Sequence, residues 1–313
     1  MGKDRVLVIV GPTAVGKTKL SIELATVFNG EIISGDSMQV YKGMDIGTAK
    51  IKPEEQKGIP HHLLDWLEPS QPFSVGQFQK LTKACIKEIN RRGKIPILVG
   101  GTGLYIQSVT HDFNFAETHD PSIRAKWKRY LELYGKEQLY AQLKERDPDY
   151  AEKLHPNNTR RVLRALEILE ATGQSMAAYQ RDWHRPSPYD LIMIGLWMER
   201  KKLYRRINQR VDEMIREGLV EEVKQLLAQG VPNTATAMQA IGYKELVDYL
   251  EGRISLEEAI DLIKRNTRRY AKRQMTWFRR MDGITWFEVE SEKKFAELTK
   301  NIIRHVAGIW QMV

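Results

Sequence analysis

The run "GPTAVGKT", residues 11–18, has glycines at its first and sixth positions and ends in Lys17 and Thr18, the spacing G-x-x-x-x-G-K-[ST]. Glycines so placed let the backbone curl until successive N–H groups point inward. The helix that follows adds its positive end, Lys17 adds a charge, and Thr18 adds a hydroxyl suited to magnesium. Gly11, Pro12, Thr13, Ala14, Val15, Gly16, Lys17 and Thr18 are therefore expected to hold a phosphate-bearing group. Whether that phosphate is hydrolysed, transferred or released intact is not fixed by the loop.

A second group of residues bears on that choice. Asp36 in "SGDSMQVY" follows the short apolar run "GEIIS", and Thr102 in "GGTGLY" follows "IPILV". Both fall at carboxyl ends of expected parallel strands, where open α/β sheets bind ligands. A carboxylate there can accept a proton from an attacking N–H or O–H, although an Asp after a strand also caps turns. Nucleoside triphosphatases of this type usually place a further acid at the end of a neighbouring strand. "IPILV" ends in Gly100, Gly101 and Thr102 instead, which weakens the hydrolase reading and leaves a small-molecule kinase open.

The elements that must position these residues follow from hydrophobic patterning. "RVLVIV" is a continuous apolar run, as a strand buried on both faces requires, and it feeds the loop and the helix "KTKLSIELATVF". "GEIISGD", an amphipathic helix over 80–93, and the strand "KIPILVGG" continue the alternation, which predicts a parallel sheet covered on both faces. Residues 120–182 show no strand pattern and many helix formers. "YDLIMIGLWME" returns to strand character, helical patterns follow at 201–229, 235–250, 255–281 and 291–307, and "ITWFEV" is a further candidate strand. The expected fold is α/β: a P-loop-type parallel sheet with helices on both faces, an all-helical insertion domain and a helical C-terminal part. Residues 1–115 and 186–313 are assigned to the catalytic core, and 116–185 to the insertion.

The chain has 313 residues, a formal charge of +9 and a single cysteine. One cysteine permits neither an intrachain disulfide nor a cysteine-based zinc site. No apolar run approaches a membrane span and the N-terminus carries no secretory pattern, so a cytoplasmic location without membrane contact is expected. The adjacent His61 and His62 read as structural, with no partners at metal-ligand spacing.

The positive charge is concentrated. "LIKRNTRRYAKRQMTWFRR", residues 262–280, holds eight Lys or Arg and no acid. At about 100° per residue, Arg265, Arg268, Arg269, Lys272, Arg273, Arg279 and Arg280 share one face, with Tyr270, Ala271, Trp277 and Phe278 opposite. A face of one sign suits a nucleic-acid backbone. Arg160, Arg161 and Arg164 repeat the pattern in "NTRRVLRALEILE", and Arg205, Arg206 and Arg210 lie on another expected helix.

Taken together, the phosphate loop, "SGDSMQVYKGMDIGTAK", "HHLLD", "PFSVGQF", "LVGGTGLYI", "RRVLRALEI" and "QAIGYKE" resemble the bacterial tRNA dimethylallyltransferase (tRNA isopentenyltransferase) family over nearly the whole chain. The resemblance implies transfer of a dimethylallyl group from dimethylallyl diphosphate to N6 of the adenine 3′-adjacent to the anticodon, position 37 of tRNA. It implies that residues Gly11–Thr18 hold the diphosphate with Mg²⁺ at Thr18, that Asp36 is the general base, that Thr102 assists, and that Arg210 supports the diphosphate. Ser37, Met38 and Gln39 match the segment contacting the target nucleotide. Arg124, Arg160, Arg161, Arg164, Gln239, Lys244, Lys272, Arg273 and Arg279 match tRNA-contacting positions, and Arg269 joins them from the cationic face. The partners implied are the anticodon stem-loop of tRNA and dimethylallyl diphosphate; a monomer is expected, although the sequence itself does not show the oligomeric state. Val15 departs from the serine common at its position in the family loop. The readings still open are a P-loop kinase or NTPase, an RNA-binding module without catalysis, and an isopentenyltransferase acting on free AMP or ADP.

Overall fold

The structure is a computed structural model and describes residues 2–113, 115, 120–180 and 186–312. Its contacts divide the chain into one unit of residues 1–110 and 188–313 and another of residues 111–187. The expected insertion limits at 116 and 185 lie outside the described residues.

The first unit is built on a six-stranded parallel sheet in the order β3-β2-β4-β1-β5-β6. Its strands are β1 (Arg5–Val10), β2 (Gly30–Ser34), β3 (His61–His62), β4 (Ile95–Gly100), β5 (Asp190–Trp197) and β6 (Ile284–Glu288). β1 lies centrally, with Val8 paired to Leu98 of β4 on one side and to Met193 of β5 on the other. Alternation along β1 divides its side chains between two cores. Val6, Val8 and Val10 pack with α2 (Val75–Arg91), α3 (Gly103–Thr110), α9 (Leu219–Ala228), α10 (Tyr243–Leu250) and most of α11 (Leu256–Phe278). Leu7 and Ile9 pack with α1 (Lys17–Val27), α8 (Arg200–Arg216) and α12 (Phe295–Trp310). Both faces of the sheet are thus covered, which is why its strands are continuously apolar.

Local signals fix the element ends. Ser74 caps α2 in a capping box with Gln77, so this helix starts at Val75, earlier than the run expected from residue 80. Ser255 and Glu258 make the same box at the start of α11. α11 stops at Phe278, so Arg279 is its C-cap and Arg280 lies beyond the regular helix. β3, two residues long, carries no periodicity and was not expected. It is pinned by Glu31 of β2, a fully buried carboxylate that accepts from Arg92 at 2.6 and 2.8 Å, pairs with Lys94 at 3.0 Å and meets His62 Nε2 at 2.8 Å. Those partners outweigh the burial that opposes them and hold Glu31 down to about 2. His62 therefore holds the sheet edge.

In the second unit, α4 (Pro121–Arg146), α5 (Pro148–Ala151), α6 (Thr159–Thr172) and α7 (Met176–Gln180) are all helical among the described residues. α4 bends at Gly135, whose φ of 78° is open to glycine at little cost. Trp127, Leu139, Leu143, Tyr150, Val162 and Leu166 form this unit's own core.

Candidate active site

The carboxyl ends of β1, β2 and β4 open onto one cavity of about 510 Å³. Thr13, Ala14, Gly16, Lys17 and Thr18 line it from the phosphate loop, Ser34 and Asp36 from the end of β2, and Gly100 and Gly101 from the end of β4. The loop is curled as its glycines allow: Gly11 and Gly16 have φ of 145° and 109°, and Ala14 sits at 63°. A non-glycine residue at positive φ stores on the order of 1 kcal/mol of strain, a common feature of functional loops. Gly16 is the N-cap of α1 and brings no side-chain cap, so the opening amides of the helix keep their capacity for an anion. Val15 is fully buried among the core residues beside α1, so this position serves the loop through its backbone alone.

Four cations, Lys17, Lys19, Arg206 and Arg210, line the cavity against two carboxylates, Asp36 and Glu213. Lys19 and Arg206 both pair with Glu292, which leaves Lys17 and Arg210 as the inner positive groups. Lys17 Nζ donates to the carbonyls of Gly11 at 3.0 Å and Pro12 at 2.8 Å. Burial, then Arg210, pull its ammonium down to about 7, and the Asp36 charge acts the other way. Arg210 is lowered by burial too, with Asp36 as its largest opposing influence. Asp36 is half-buried; its Oδ1 accepts from the Met38 amide at 2.8 Å, which fixes the carboxylate and caps the turn at once.

A second cavity of about 340 Å³ adjoins the first and shares Thr13, Ala14, Asp36, Thr48, Arg210 and Tyr270 with it. Its remaining lining includes Ser37, Met38, Met214, Ile241, Ile263, Gln239, Lys244 and Arg273: apolar walls with polar and cationic groups among them. Asp36 thus belongs to the shared wall of a charged cavity and a more apolar one.

The sequence-predicted residues separate by place. Ser37, Met38, Gln239, Lys244 and Arg273 come together in the second cavity. Gln39 lines the first, where its amide donates to the Thr48 carbonyl at 3.1 Å and accepts from Ser34 Oγ at 3.0 Å. Thr102 Oγ1 is buried without a hydrogen bond of good geometry, although the Tyr270 hydroxyl lies beside it. Burial, then the Asp36 charge, push Tyr270 up to about 12. Arg269, Lys272, Arg273 and Arg279 are exposed, whereas Arg268 of the expected cationic face turns to Asn208 Oδ1 at 2.7 Å. In the second unit Arg160 and Arg161 are exposed, and Arg124 and Arg164 both lie near Glu167, at 3.5 and 3.3 Å.

Several site residues were not found from sequence. Glu222 of α9 accepts from the amides of Asp45, Ile46 and Gly47 at 2.9, 2.7 and 3.1 Å, and so holds the loop that brings Gly47 and Thr48 to the second cavity. Gln274 and Tyr270 reach the first cavity from α11. His61 lines it as well: Nδ1 donates to the Ile59 carbonyl at 2.8 Å, so Nε2, buried and unpartnered, is the unprotonated nitrogen of the neutral ring.

No group of three or more His, Cys, Asp or Glu among the described residues could hold a metal ion. The donor set instead suits a hard cation shared with phosphate oxygens, for which one hydroxyl, that of Thr18, and waters suffice.

Fold and site together define a phosphate-loop α/β protein whose charged cavity adjoins a second, more apolar one. A family model described as IPP transferase matches residues 39–281, and the chain belongs to this family. It is 54% identical over 306 residues to a tRNA dimethylallyltransferase from Geobacillus thermodenitrificans, with 97% of each chain covered. A crystal structure of a full-length tRNA isopentenylpyrophosphate transferase from Bacillus halodurans superposes with a TM-score of 0.76 at 51% identity, covering 99% of this chain and 97% of that one. A eukaryotic dimethylallyltransferase captured acting on tRNA gives a TM-score of 0.85 at 35% identity, covering 97% and 78%.

Proposed function

We propose that this protein transfers the dimethylallyl group of dimethylallyl diphosphate to N6 of the adenine at position 37 of tRNA and releases diphosphate. The observation that carries this reading is the place of Asp36, common to the anion cavity and to the second cavity. A diphosphate in the loop leaves as the C1–O bond breaks, and Lys17 and Arg210, which line the same cavity, neutralise the charge that grows on it. An adenine in the second cavity presents its amine toward the shared wall, where the Asp36 carboxylate accepts the proton lost as the N6–C1 bond forms. To enter, the base has to leave the anticodon loop stack. A magnesium ion held by Thr18 and the donor phosphates would supply further charge neutralisation.

Two cavities of different character fit two dissimilar substrates, and the exposed cations of α11 fit a polynucleotide acceptor better than free AMP or ADP. Among the described residues no helix is long and apolar enough to cross a membrane. The test is incubation with labelled dimethylallyl diphosphate, magnesium and an unmodified anticodon stem-loop with adenine at position 37. Label is expected in the RNA. Release of ADP or GDP from a nucleoside triphosphate, with no label transferred, would establish the kinase or NTPase reading instead.

A further inference from the structure

Gln274 lies on the apolar side of α11 and is 5% exposed. Its Oε1 accepts from the amide of Thr13 at 2.9 Å, and its Nε2 donates to the carbonyl of Gly101 at 3.0 Å. The partners fix the orientation of the side-chain amide, because only oxygen can accept from an N–H and only nitrogen can donate to a carbonyl. One buried amide therefore bridges the phosphate loop after β1 and the turn after β4. Room for it is made by Gly101: a Cβ at that position would overlap Gln274 Nε2.

The Thr13 amide belongs to the same rigid peptide plane as the Pro12 carbonyl, and that carbonyl accepts from Lys17 Nζ at 2.8 Å. Gln274 grips one edge of this plane and Lys17 rests on the other. We propose that Gln274 is a positioning residue for the transfer reaction: through the Pro12–Thr13 peptide it sets Lys17, and through Gly101 it sets the spacing of the phosphate loop from Thr102. It acts without touching the diphosphate through a charge of its own. The inference deepens the donor-binding reading above and rests on it.

The experiment measures inorganic pyrophosphate binding by calorimetry with magnesium, and anticodon stem-loop binding by fluorescence, on the full chain. Gln274→Met keeps the shape and removes both hydrogen bonds. Freeing the Pro12–Thr13 peptide and with it Lys17 is expected to weaken pyrophosphate by about tenfold and to leave stem-loop affinity within about twofold of the parent. Steady-state kinetics then show the donor KM raised with a smaller change for tRNA. Unchanged pyrophosphate affinity, or equal losses for both ligands, overturns the proposal.

If Gln274→Met does not fold, Gln274→Glu serves. Its ionised carboxylate keeps the Thr13 bond and repels the Gly101 carbonyl, whereas the protonated form can donate to that carbonyl. Its pyrophosphate affinity relative to the parent protein at the same pH should recover between pH 8 and pH 5; an equal deficit at both overturns the proposal. A parent protein that binds no pyrophosphate removes the donor reading and this inference with it.

Discussion

Tyr243 donates its hydroxyl to Glu222 Oε1 at 2.6 Å, in a pair sealed from solvent beneath the loop of Asp45–Gly47. The same carboxylate accepts three amides of that loop, so one side chain of α9 shapes a wall of the second cavity. Tyr243→Phe removes only the hydroxyl and is expected to cost about 2 kcal/mol, as for a hydrogen bond to a buried charge. Glu222→Gln, which gives up one acceptor oxygen, should cost more. Denaturant titration reads both, and a Tyr243→Phe loss below about 0.5 kcal/mol would show that the pair is not holding the loop.

Asp36→Asn keeps the size of the side chain and an oxygen that can accept from the Met38 amide, but removes the proton acceptor. Turnover is expected to fall about 10²- to 10⁴-fold, with pyrophosphate and stem-loop affinities near those of the parent. Single-turnover transfer of label separates this from a binding defect. A variant retaining most of its rate would assign Asp36 to turn capping alone.

Lys17 gives a pH signature. Its ammonium is held to about 7 in the ligand-free protein, and a bound diphosphate raises it by supplying negative charge. Pyrophosphate binding at pH 8 should therefore take up a proton at this side chain. Relative to Lys17→Met, affinity should fall as pH rises above about 7. Between about pH 7 and 10.5 the unfolded chain holds this proton and the fold does not. The group consequently adds to the stability of the free protein as pH rises through that window. Calorimetry in buffers of different ionisation enthalpy measures the difference between parent and variant, and identical proton uptake in the two would exclude Lys17 as the linked group.

The exposed cations of α11 predict a salt dependence. Each phosphate contact contributes about −0.7 to −0.9 to the slope of log affinity against log salt. Replacing Arg269, Lys272 and Arg273 together with glutamine should flatten the slope by about 2 to 3, while pyrophosphate binding changes little. An equal slope in parent and variant would mean that this face does not meet the RNA backbone.

Much of the site could be read directly because its residues are contiguous or stand at strand ends. Gly11–Thr18 form one run, and Asp36 follows β2, which β4 joins to β1; Thr102 follows β4, beside β1, but lines neither cavity. The helical face at 265–280 was equally visible, with the exception of Arg268, whose bond to Asn208 depends on how α8 packs. Gln274 and Glu222 were hidden because their partners are 261 and about 175 residues away in sequence. One signal was present: Thr267 and Gln274 are polar residues within the apolar arc of α11, at about 200° and 180° from Arg265. Both line a cavity. β3 had no signal, since two residues show no period and its place depends on Glu31 in another strand.

The bond between Thr13 and Gln274 also orders the life of the chain as it is made. The phosphate loop leaves the ribosome among the first residues, but the side chain that braces it follows 261 residues later. A nascent chain therefore carries a complete phosphate-loop sequence without this brace until α11 has emerged and docked, a closure across most of the polypeptide.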